Sequence, residues 1–177
     1  MRDRLLKAAA QVVVRDGVQS LTLEAVAREA GVSKGGLLYH FHSKSDLISA
    51  VVEQLGSWCD ASQTQAMASD PHRCGAFARA YLTARVHEPE SQRKLNQAAF
   101  LAGVGTDLHY LDPFRKRATA WQAQLEADGI DPVSTTIARL AMDGLCLCAL
   151  FGLPVPEGEL RRNVIERLLA MTSAQQD

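Results

Sequence analysis

The chain has 177 residues, enough for one or two domains with a buried core, and 47% of them are hydrophobic while only 6% are aromatic. With much alanine and leucine among them, that balance favours a helical globular protein and argues against a β-sandwich or a disordered chain. The formal net charge of −1 hides an asymmetry: residues 1–47 carry seven Lys/Arg against five Asp/Glu, or +2, which leaves −3 for the rest. An anionic partner is therefore expected at the N-terminal end.

From Arg4 to Arg15 the apolar positions Leu5, Leu6, Ala9, Val12 and Val13 keep helical spacing, and Asp16-Gly17 supplies a stop. Thr22 is placed to cap a second helix running to about Ala30, with Leu21 and Val26 as a hydrophobic staple and Gly31 as its end. Ser33 caps a short third helix through about His40. Ser43 and Asp46 form a capping box for a fourth, in which Leu47, Ile48, Val51, Val52, Leu55 and Cys59 recur at three and four as far as Ala68, a rod of roughly 40 Å at 1.5 Å per residue. Ser69 to Arg73 mark a turn. Further helices are expected near 74–88, 91–103, 110–128, 132–151 and 157–172, with Pro89, Pro113, Pro132, Pro154 and Pro156 at starts or in connections.

Four cysteines, Cys59, Cys74, Cys146 and Cys148, make no Cys-x-x-Cys and read as reduced thiols, which together with the lack of a leader pattern or a membrane-length apolar run points to a cytoplasmic protein that does not engage a membrane. His40-x-His42 and His72-x-Cys74 fall outside the usual metal-ligand spacings, and no nucleophile elbow, zinc-protease, phosphate-loop or dinucleotide fingerprint occurs. No metal, cofactor or catalytic function is expected.

The stretch VSKGGLLYHFHSK, Val32 to Lys44, raises a different possibility. Glycine costs roughly 1 kcal/mol per position in a helix interior relative to alanine, so Gly35 and Gly36 need a reason outside helix stability. Two short helices joined through Gly31, with Ala27 four residues before that glycine and Leu37 six after, have the spacing of a helix-turn-helix. Its second helix enters the major groove of double-stranded DNA, and two bare positions at its start let backbone N–H groups approach phosphate. Lys34 adds charge, Tyr39 and His40 reach a phosphate or base edge from the far end, and Lys44 reaches a neighbouring phosphate. Thr22 and Arg28 are candidates on the first helix of the pair.

The block LTLEAVAREAGVSKGGLLYHFHSKSDLISAVVEQ, Leu21 to Gln54, resembles the DNA-binding domain of the TetR family of bacterial transcriptional regulators. Matched position by position, Thr22, Ser33, Lys34, Gly35, Tyr39, His40 and Lys44 fall where that family contacts DNA or caps its recognition helix, and Phe41 where an aromatic holds the domain together. Gly36 replaces a usual threonine, serine or alanine, Leu38 a frequent tyrosine, and His42 a frequent proline, so operator preference does not transfer. The resemblance implies an all-α fold: an N-terminal three-helix helix-turn-helix domain (1–46) joined by a long fourth helix to a helical ligand-binding and dimerisation domain (47–177). It implies a repressor that binds an inverted-repeat operator as a homodimer, its recognition helices about one DNA turn or roughly 34 Å apart, and that a small lipophilic effector releases, with an efflux pump among its common targets. A helical ligand-binding or protein-interaction module without operator function is the alternative, and Gly36 with Leu38 are its hints.

In the second part, Val133, Ile137, Leu140, Ala141, Gly144, Cys148 and Phe151 form one stripe, and Leu160, Val164, Leu168 and Met171 another. Either stripe faces its own core or a partner; the resemblance favours a dimer through these last two helices. Tyr81, Phe100, His109, Trp121, Met142 and Cys146 are the effector-pocket candidates, with plain core as the competing reading for each. Asp143, inside an apolar run, is either a counter-charge for a cationic ligand or the i,i+4 partner of Arg139.

Overall fold

The computed structural model describes residues 1–173. They form nine α-helices: α1 (Arg2–Asp16), α2 (Leu23–Glu29), α3 (Lys34–Leu38), α4 (Lys44–Ala68), α5 (Ala76–Val86), α6 (Glu90–Thr106), α7 (Asp112–Glu126), α8 (Pro132–Leu150) and α9 (Gly158–Ala170). Every helix expected from periodicity is present with ends within three residues of expectation, and two short 3-10 turns, Val18–Ser20 and Leu108–Leu111, join them. By contacts the chain groups into two units, Met1–Trp58 with Pro89–Arg117, and Cys59–Glu88 with the residues from Ala118 onward.

In the first unit α1 lies against α6 and α2. Leu5, Leu6, Leu21, Val26, Leu37 and Ile48 are each 2% exposed or less, so every one contributes about 1.5–3 kcal/mol by leaving water. Leu21 and Val26 close the staple, and Gly31, at φ 63°, ends α2 in the left-handed conformation that glycine adopts without strain. Close approach explains Gly56: a Cβ there would stand 2.8 Å from Arg117 Cδ, and the bare position lets Arg117 lie across α4 and donate to Glu53 one turn earlier.

In the second unit α5 packs on α8 and α9. The N-terminus of α5 has no side-chain cap of its own, because Gly75 precedes it. Asp128 substitutes from the end of α7, accepting from the backbone N–H groups of Phe77 (3.2 Å) and Ala78 (2.8 Å), while its carbonyl accepts from Gly75. Arg79 closes the same corner, donating to Asp70 (2.7 Å), to the carbonyls of His72 and Cys74, and to that of Thr172 just beyond α9. By length and composition α8 is apolar enough to cross a membrane, with a mean hydropathy of 1.4. Its middle nonetheless carries Arg139 and Asp143, and Asp143 is bonded to α5.

Candidate nucleic-acid interface and effector site

Three side-chain caps build the N-terminal surface from local sequence. Thr22 Oγ1 accepts from Ala25 N (3.1 Å), Ser33 Oγ from Gly36 N (3.1 Å) and Ser43 Oγ from Asp46 N (3.0 Å), which start α2, α3 and α4 respectively. Between α2 and α3 the backbone N–H of Val32 donates to Ala27 O, so the chain turns sharply at Gly31. Leu37 and Phe41 anchor α3 from below, and the Arg2 guanidinium lies 5.2 Å over the Phe41 ring.

With that face buried, the other face of α3 is open. Lys34, Gly35 and Gly36 are exposed, Tyr39 is 81% exposed, and Leu38 and His40 are half-buried, with the Tyr39 and His40 rings edge to face at 5.2 Å. Lys34 Nζ pairs with Glu24 of α2, so the cation nearest the start of α3 is held by an acid from the preceding helix. The Lys34 ammonium, hydrogen-bonded to it, holds the Glu24 carboxyl below its ordinary range. Thr22 and Arg28 are exposed on α2, and Lys44 is half-buried at the start of α4.

Nothing inside the protein asks for glycine at 35 or 36. Neither has a positive φ; a Cβ at Gly35 would come no nearer than 4.0 Å to Ser33 Oγ, and one at Gly36 would sit at 3.4 Å, an ordinary contact. The bare backbone is therefore a surface property of α3 and not a packing requirement.

The effector candidates separate between the two units. Phe100, on α6, and His109, in the second 3-10 turn, belong to the first; His109 is exposed and paired with Asp107. Tyr81, Trp121, Met142 and Cys146 belong to the second, where Tyr81, Trp121 and Met142 are buried and Cys146 is exposed. There Tyr81 Oη donates to Asp143 (2.8 Å), the Tyr81 and Trp121 rings meet edge to face at 6.0 Å, and Trp121 Nε1 donates to Asp60 (3.0 Å). Burial pushes the Tyr81 hydroxyl well above its ordinary pKa, keeping it a donor, and pushes the Cys59 thiol up to about 11.

Arg85 is the group that the periodicity did not reveal. Its guanidinium lies 3.7 Å from the Tyr81 ring centroid, 6.0 Å from that of Trp121 and 3.6 Å from Asp143, with its side chain 11% exposed. Burial opposes the charge, yet its neighbours, the Asp143 carboxylate among them, keep its pKa raised. The one available signal was its position four residues after Tyr81 on an otherwise apolar helix face. Arg139 does pair with Asp143, at 3.5 Å, but as one of three groups that converge on that carboxylate.

Comparison with known proteins agrees with both halves of this geometry. Residues 5–51 match the family model described as bacterial regulatory proteins, tetR family, and residues 75–173 match a tetracyclin repressor-like C-terminal domain. The HTH-type transcriptional regulator SrpR of Pseudomonas putida is 41% identical over 51 residues, 29% of this chain and 24% of that protein. The chain thus aligns with only about a quarter of the length of that relative. Among solved structures, a transcriptional regulator from Rhodococcus sp. Rha1 superposes with a TM-score of 0.72 at 20% identity, covering 97% of this chain and 94% of that one. The multidrug binding protein EbrR, complexed with ethidium, superposes at 0.58 with 28% identity, covering 94% and 97%.

Proposed function

Since the chain belongs to the TetR family, and is thus a DNA-binding transcriptional regulator and not an enzyme, we propose that it is a cytoplasmic repressor that binds an inverted-repeat operator as a homodimer and leaves it when a small lipophilic effector binds. The observation that carries this reading is the open face of α3, where two glycines that the fold does not need stand beside Lys34 and an 81% exposed Tyr39. Thr22, Arg28, Ser33, Lys34, Gly35, Gly36, Leu38, Tyr39, His40 and Lys44 form the proposed DNA surface: phosphate contacts from Lys34, Lys44 and Arg28, base-edge or phosphate contacts from Tyr39 and His40, close backbone approach at the glycines.

Dimerisation is supported by α8. Val133, Ile137, Leu140 and Phe151 are between 50% and 64% exposed, while Thr135, Ala138 and Met142 on the opposite face are buried. Among the described residues nothing beyond the adjoining backbone of α8 comes within 4 Å of a Cβ built at Gly144, which leaves that position free for a second copy. On α9 Leu160 is exposed but Leu168 is buried, so only part of the second stripe is available. Effector release follows from population shift: a ligand in the second unit that binds the DNA-incompetent state more tightly draws the dimer off its operator. The EbrR neighbour, a multidrug binding protein, supports a lipophilic effector, and an efflux pump is proposed among the targets.

The test is selection of duplexes from a random pool by the purified protein near physiological salt, followed by sequencing. One inverted repeat is the expected result. Salt-sensitive retention of every sequence alike would refute operator recognition.

A further inference from the structure

Two buried donors in the second unit, Arg139 Nε and Gln63 Nε2, lack acceptors among the described residues, and we infer from them that the effector carries a carboxylate, held by Arg139 and Arg85. The inference rests on the effector reading proposed above and names the chemistry of that site. Two guanidinium groups face one carboxylate. Arg85 and Arg139 stand 3.6 and 3.5 Å from Asp143, beyond the 2.7–2.9 Å of a closed charge-assisted hydrogen bond, and the short bond on Asp143 comes from the Tyr81 hydroxyl at 2.8 Å. Asp143 is thus taken up by a neutral donor; Arg85 also donates to the Tyr81 carbonyl (3.1 Å), which leaves Arg139 the less matched of the two.

Orphaned polar atoms point the same way. Arg139 Nε is buried with no hydrogen-bond partner among the described residues, and it can only donate. Gln63, 2% exposed on α4 one turn beyond Cys59, has a buried Nε2 with no partner. Gln122 of α7, whose amide nitrogen donates to Glu126 and to Thr136 one turn before Arg139, leaves its Oε1 unpartnered. A buried donor without an acceptor is costly, and two such donors in one unit, Arg139 Nε and Gln63 Nε2, mark an interior that something else completes; Gln122 Oε1 is an acceptor, which an anion does not serve. Each of these donors calls for an acceptor, and a carboxylate oxygen is one.

A cationic ligand fits less well. The place for a cation on the aromatic face is filled from within, by the Arg85 guanidinium 3.7 Å from the Tyr81 centroid. Of the other nearby acids, Asp60 accepts from the Trp121 indole, and Glu88, just past the end of α5, adds with Asp143 to the burial that pushes the Cys59 and Cys146 thiols up. Tyr81 and Trp121, both buried beside Arg85, make the surroundings apolar, so the anion is the polar end of an aromatic or aliphatic acid.

The experiment titrates the full chain with a series of phenyl- and alkyl-carboxylic acids, each alongside its primary amide and its amine. Melting temperature and tryptophan fluorescence report binding, and operator release is read on the same samples. At least one acid is expected to bind about tenfold more tightly than its amide, with the gap closed in Arg139→Gln and kept in Arg139→Lys, the second variant serving if the first fails to fold. Preference for the amines, or no acid anywhere in the series binding better than its amide, overturns the anionic assignment. Release by amines with no response to acids does the same while leaving the effector reading intact. Acid-selective binding that never alters operator occupancy upholds the site and removes the effector reading.

Discussion

Gly36 offers a substitution in which stability and function move in opposite directions. A methyl group there meets only Ser33 Oγ at 3.4 Å and Val32 Cβ at 3.9 Å, so Gly36→Ala is expected to stabilise the protein by roughly 0.5–1 kcal/mol through helix propensity. On the proposed DNA face the same methyl group stands between α3 and the duplex, and operator affinity is expected to fall. Chemical denaturation and a binding titration on the same preparation check both signs; a variant both more stable and equally tight would remove the close-approach role. Lys34→Ala is expected to weaken binding on every sequence and lower the salt slope by about one unit. Glu24→Gln frees Lys34 from its ion pair and should tighten binding with no new base preference, read as parallel gains on operator and random DNA.

Individual helices were legible because their signals are local. Thr22, Ser33 and Ser43 each cap a helix through a bond three residues away, and alternation of apolar residues at three and four set the rest. What was not legible depends on residues far apart in the chain: Asp128 caps α5 from 50 and 51 positions away, Arg79 reaches Thr172 across 93, and Tyr81 meets Asp143 across 62. The same distance hid Arg85, whose neighbours on α8 no periodicity could supply. At the start of α5, Gly75 has φ 74°, and a Cβ there would lie 2.4 Å from the carbonyl oxygen of Thr172. Gly75→Ala is therefore expected to destabilise by about 2–4 kcal/mol in equilibrium unfolding, whereas Gly144→Ala, with open space, is neutral or stabilising in the monomer.

The Arg79 corner also sets a pH dependence. Arg79 holds the Asp70 carboxyl below its ordinary value of 3.8, the His72 backbone N–H adding to it. A carboxyl whose folded pKa is depressed gives stability that is fully present above the unfolded value and lost as pH falls through the folded one. Asp70→Asn should accordingly be less stable than the parent above about pH 5 and converge with it in the acid limb below 3.8, measured as melting temperature against pH. Parallel curves down to the acid limit would show that the pair adds no pH-dependent stability.

For the whole molecule the governing feature is the apolar face of α8. Ile137 and Leu140 are 50% and 55% exposed, so Ile137→Glu and Leu140→Glu remove little internal packing; both are expected to yield a folded monomer by light scattering, with operator affinity reduced by orders of magnitude. A dimer that persists in both variants would place the interface elsewhere. In the homodimer proposed above, such an association face makes protein abundance a regulatory input. Below the dimer dissociation constant the number of dimers rises with the square of the number of chains, so halving synthesis cuts the operator-competent population about fourfold. The residues that cover no core thereby turn a graded change in expression into a steeper change in transcription, before any effector enters.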